Sequence, residues 1–119
     1  MAYLNDVAIA VREMDYEQIY NCAVKQDKQI ARFLARAVRM TERNGRYYAV
    51  LHWENIPWES GKEEKFIQRI LRENKIVYAF IRIGQDYNDI EWKIHDNNGV
   101  IHDETFHELL SINQYIVSA

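Results

Sequence analysis

Hydrophobic and polar positions change period several times along this chain, and each change predicts an element. Val7, Ile9 and Val11 alternate with Ala8, Ala10 and Arg12, which predicts a first strand with two unlike faces. Asp15 then offers a helix N-cap. From Tyr16 to about Arg43, residues Ile19, Tyr20, Ala23, Val24, Ile30, Phe33, Leu34, Ala37 and Val38 recur at helical spacing with the basic residues largely opposite, and Asn44-Gly45 ends this predicted helix. Tyr47 to Trp53 reads as a second strand, closed by Pro57 in Trp53-Glu54-Asn55-Ile56-Pro57-Trp58. Ser60 or Gly61 begins a second helix, striped by Phe66, Ile67, Ile70 and Leu71. Val77-Tyr78-Ala79-Phe80-Ile81 then predicts a third strand and Ile90-Glu91-Trp92-Lys93-Ile94 a fourth.

The order β-α-β-α-β-β, in one domain over residues 1–119, predicts an α+β sandwich of ferredoxin-like arrangement. Two helices would cover one face of an antiparallel sheet, with a C-terminal extension beyond it. Strand alternation assigns Val7, Ile9, Val11, Ala49, Leu51, Val77, Ala79, Ile81, Ile90, Trp92 and Ile94 to the covered side. Arg12, Tyr48, His52, Tyr78, Phe80, Arg82, Glu91, Lys93 and His95 are then expected on an open face. Exposed aromatics on a sheet usually meet a partner, so Tyr48, Tyr78 and Phe80 are the expected interface.

Composition adds bounds. With 119 residues and 48% hydrophobic content the chain can bury one core without disulfides or metal. One cysteine, Cys22, excludes an intrachain disulfide and fits a reducing cytosol, where Cys22 acts as a small apolar residue. No basic stretch precedes an apolar one near the start, and no apolar run reaches membrane-spanning length, so the expectation is a soluble cytoplasmic protein with no membrane contact. A net charge of −3 disfavours duplex nucleic acid. Basic residues concentrate in Lys25, Lys28, Arg32, Arg36, Arg39 and Arg43, and acidic ones in the last third; this polarity favours self-association, hence a homo-oligomer, or a charged partner.

The densest candidate chemistry lies in Arg82-Ile83-Gly84-Gln85-Asp86-Tyr87-Asn88-Asp89-Ile90-Glu91, an acidic loop between two strands. Arg82, Asp86, Tyr87, Asp89 and Glu91 would form a ligand site if Arg82 engages a phosphate or carboxylate and Tyr87 stacks on a base. They serve internal architecture if Arg82 pairs across the hairpin while Asp86 and Asp89 cap the loop's amides. The calcium-loop pattern is absent. Trp53 and Trp58, with His52 alongside, are a second candidate ligand wall. A two-residue turn at Asn98-Gly99 would set His95 opposite His102, but two histidines do not complete a metal site. No P-loop, dinucleotide fingerprint, nucleophile elbow or zinc motif occurs, so no cofactor and no catalytic residue is expected.

The phrases Trp53-Glu54-Asn55-Ile56-Pro57-Trp58 and Phe80-Ile81-Arg82-Ile83-Gly84-Gln85-Asp86-Tyr87-Asn88-Asp89-Ile90-Glu91 resemble a family of small, uncharacterised proteins of tailed bacteriophages and prophages. The likeness spans roughly Leu4 to Glu91 and departs at Glu59-Ser60-Gly61 and beyond Trp92. It implies a phage-encoded, non-enzymatic accessory protein that counteracts host antiviral defence, by sequestering a small signalling nucleotide or by occluding a defence protein. The alternative is a structural or regulatory phage protein that binds single-stranded nucleic acid or an assembly partner through the open sheet face.

Overall fold

A computed structural model describes residues 4–85 and 89–95 of the chain. Its elements run β1 (Asn5–Arg12), α1 (Glu13–Gln26), α2 (Lys28–Ala35), β2 (Val38–Arg43), β3 (Arg46–Ile56), α3 (Lys62–Glu73), β4 (Tyr78–Ile83) and β5 (Ile90–His95). They form an α+β domain with one five-stranded antiparallel sheet in the order β2-β3-β1-β4-β5. This order corrects the expected β-α-β-α-β-β. The predicted helix from Tyr16 to Arg43 is two helices and a strand.

Each boundary has a local cause. Asp15 does not cap α1; it lies in the first turn, where its carboxylate accepts from Arg12 Nε at 2.8 Å. Asp27 adopts an extended backbone that breaks the helical run, and its carboxylate caps α2 by accepting from the Gln29 amide at 2.8 Å. Lys62 of α3 pairs with the same carboxylate, holding it below the usual carboxylate range and pushing its own ammonium up. Asn44 and Gly45 both have positive φ, 55° and 79°, and connect Arg43 directly to its partner Arg46. They are thus the two-residue turn of a β2–β3 hairpin, not a helix stop, because such turns match the right-handed twist of the flanking strands.

The described helices pack on one sheet face. Val7, Ile9 and Val11 of β1 with Ala49, Leu51 and Trp53 of β3 share a core with Ile19, Ile30, Leu34, Phe66 and Ile67. The β1–β4 pairing sets Ile9 opposite Phe80 and Val7 opposite Arg82, and β5 continues these rows with Lys93 and Glu91. Tyr78, Phe80, Arg82, Glu91, Lys93 and His95 therefore lie on the helix side, which reverses the face expected for both strands. Their neighbours Ala79, Ile81, Ile83, Ile90, Trp92 and Ile94 share the second face with Ala8, Ala10, Tyr48 and Val50. For β1 and β3 the expected helix-covered residues stand, but their second face is not the expected open one, since Tyr48 is 1% exposed and packs with Ala8, Ala10 and Val50 in a buried cluster. No helix among the described residues is long and apolar enough to cross a membrane.

Candidate functional site

Because β4 and β5 turn their Tyr78, Phe80 and Arg82 rows toward the helices, and α3 covers them incompletely, a cleft of about 440 Å³ opens between α3 and the β4–β5 edge. That volume lies in the range of small-molecule sites. Its floor is aromatic. Phe80 packs on Trp58 with ring centres 5.4 Å apart, Tyr78 stacks on His95 at 5.4 Å, and Lys93 Nζ lies 5.6 Å and 5.5 Å from the centres of the Tyr78 and Phe80 rings. Trp58 is fixed from behind, since its carbonyl accepts from Gln68 Nε2 of α3 at 2.8 Å.

Arg82 closes one end, already engaged. Its Nη1 and Nη2 donate to the two carboxylate oxygens of Asp89 at 3.1 and 3.0 Å, Nη1 also donates to Asn5 Oδ1 at 2.9 Å, and Nε donates to Glu91 at 3.4 Å. The Asp89 hydrogen bonds raise the guanidinium pKa and lower that of Asp89. Gly84 makes this possible: a Cβ there would meet the Asp89 carboxylate, and the Gly84 amide donates to the Asp89 carbonyl at 2.8 Å. Arg82 thus ties the start of β1, the loop and β5 together. The other cations of the cleft, Arg72 on α3 and Lys93 on β5, have no carboxylate within ion-pair distance among the described residues.

The remaining candidates separate. Trp53 is not at the cleft; it is 3% exposed, stacks on Phe33 with centres 4.7 Å apart, and its indole Nε1 donates to the Phe33 carbonyl at 2.9 Å. His52 lies on the second face, where burial pushes its pKa down. Tyr48 and Phe80, 1% and 3% exposed, offer little interface area. Asp86, Tyr87 and His102 lie outside the described residues. No group of three metal-ligating side chains occurs among the described ones.

Sequence reasoning passed over Arg72 and the pairing of His95 with Tyr78. Arg72 is one of several charges on an amphipathic helix, and no local signal shows that α3 places it at a cleft shared with β5. Comparisons with protein-family models, curated proteins and solved structures return no match. The geometry defines an α+β open-sheet domain with an aromatic-floored, partly cationic cleft.

Proposed function

We propose that this protein acts by binding, and that the α3–β4–β5 cleft takes a small anionic ligand with a flat ring, a nucleotide in chemical class. The observation carrying this reading is the division among cations. Arg82 is held by Asp89, Glu91 and Asn5, whereas Arg72 on the helix wall and Lys93 on the sheet wall pair with no carboxylate among the described residues and suit an anion. The stacked Tyr78–His95 pair supplies a π surface, and base stacking on such a surface contributes about 1–3 kcal/mol.

Likeness of the Trp53–Trp58 and Phe80–Glu91 phrases to tailed-phage proteins supports an accessory role against host antiviral defence, with a signalling nucleotide as the sequestered ligand. Occlusion of a defence protein is the competing version. β5, at the end of the sheet among the described residues, with Ile90 and Ile94 at 54% and 41% exposure, supports self-association into a homo-oligomer. Placement of β1 between β3 and β4, with helical crossovers before β2 and before β4, supports a ferredoxin-like core extended by β5. Single-strand binding through an open sheet face draws no support from Tyr78, Phe80 and Arg82, which face the helices.

Native mass spectrometry of protein purified from phage-infected or defence-expressing bacteria, compared with the denatured mass, tests the proposal. A retained nucleotide is expected, and in titration Lys93→Ala and Arg72→Ala should each weaken its binding at least about tenfold, about 1.4 kcal/mol. Undiminished retention by both variants would overturn the cleft as the site.

A further inference from the structure

A second hollow, of about 420 Å³ and sharing no lining residue with the cleft, lies between α2, the first turn of α3 and the end of β3. A buried carboxylate sits at its floor. Glu64 is 2% exposed, and its Oε1 has no hydrogen-bond partner among the described residues. Gly61 leaves the room for it, because a Cβ there would fall on the Glu64 carboxylate. Arg32 and Arg36, one helical turn apart, also line the hollow and form no ion pair among the described residues, and the Arg36 guanidinium lies over the Phe33 ring, 5.1 Å from its centre. The first turn of a helix favours carboxylates, but the less buried Glu63 already meets that preference. Helix polarity therefore does not explain a second carboxylate placed where one oxygen lacks a donor, an arrangement that costs a fold stability unless something pairs it.

We propose that this hollow binds a free α-amino acid, its ammonium donating to Glu64 and its carboxylate accepting from Arg32 and Arg36. The lining carries both signs of charge, Arg32 and Arg36 against Glu63 and Glu64. A lone cation or a lone anion would meet like charge there, whereas a zwitterion pairs with both. No hydrogen bond holds Oε1 in place, and the last torsion of a glutamate side chain is soft, so a small rotation turns this oxygen to the ligand. Pro57 and Ile56 on the β3 side give one wall apolar character for the ligand's side chain. The site stands apart from the α3–β4–β5 cleft and does not rest on the nucleotide reading.

Titration of the full chain with the common L-α-amino acids, each taken to millimolar concentration and followed through the backbone amide resonances, tests the site. At least one should shift the amides of Arg32, Arg36 and Glu64 while sparing those of Tyr78 and Phe80 in the cleft. For the tightest binder, its methyl ester, which lacks the carboxylate charge, and its deaminated acid, which lacks the ammonium, should each bind at least about tenfold more weakly. Glu64→Gln and Arg36→Gln, both conservative in shape, should each weaken the parent amino acid by at least about the same factor. Absence of any shift at the three amides, shifts confined to the cleft, equal binding of the ester or the deaminated acid, or undiminished binding by folded Glu64→Gln overturns the assignment.

Discussion

Replacing Trp53 with phenylalanine tests whether this residue anchors α2 to the sheet. Helices leave their last carbonyls without intrahelical partners. In α2 the Arg32 carbonyl accepts from the Arg36 amide and the Leu34 carbonyl from Ala37, while the Phe33 carbonyl accepts from the Trp53 indole at 2.9 Å. Both groups are buried. Phenylalanine keeps a ring against Phe33 but removes the donor, leaving a buried carbonyl unpaired, which costs about 1–3 kcal/mol. The lost ring also leaves a void, so the total expected destabilisation is about 2–4 kcal/mol. With a urea slope of about 1.5 kcal/mol per M, the unfolding midpoint followed by circular dichroism should fall by about 1.3–2.7 M. A sulfur-for-NH analogue of tryptophan at the same position isolates the hydrogen bond and should recover roughly half the loss. A midpoint shift under about 0.3 M for the phenylalanine variant would refute the anchoring argument, and nucleotide retention should be unchanged because Trp53 lies outside the cleft.

Three further outcomes follow from other parts of the fold. Gly45→Ala should cost about 1 kcal/mol in denaturant unfolding although no atom lies within 4 Å of the new Cβ, because the penalty is the positive φ of 79° itself. Glu64 is 2% exposed with Oε1 unpartnered among the described residues, and burial raises its pKa, so its folded-state penalty is present at neutral pH and is relieved as pH falls through the raised value toward the ordinary carboxylate range. Glu64→Gln should therefore be more stable than the parent at pH 7, by about 1 kcal/mol, with the difference shrinking on acidification; a constant difference from pH 7 to 4 would contradict the burial argument. Arg82→Met should accelerate amide exchange across β5 by at least about tenfold while sparing β1 and β3, since it cuts the link from Asn5 to Asp89 and Glu91.

The residues by themselves determined where most elements lie and which face of β1 and β3 meets the helices, because Val7-Ile9-Val11 and Ala49-Leu51 form coherent alternating sets. Asn44-Gly45 was expected to end a helix, and the same two residues suit a hairpin turn. Only pairing with β3 resolved it, since 38–43 contains no glycine or proline to stop a helix and its helical-looking spacing comes from a strand joined to α2. The parity of β4 belonged to tertiary structure as well. Val77 to Ile83 is apolar on both alternating sets apart from Arg82, so alternation alone cannot choose a face. The choice falls to shape: Phe80 meets Trp58 on the helix side, the small Ala79 sits opposite Ala10, and Arg82 finds Asn5 and Asp89. The strand ladder then carries β5 with it, and this inversion brings Lys93 and His95 to face Arg72 across the cleft. Local sequence sets element type because it acts through near-neighbour backbone preferences, whereas a site assembled from α3, β4 and β5 depends on which side chains fill which volume after the sheet has closed.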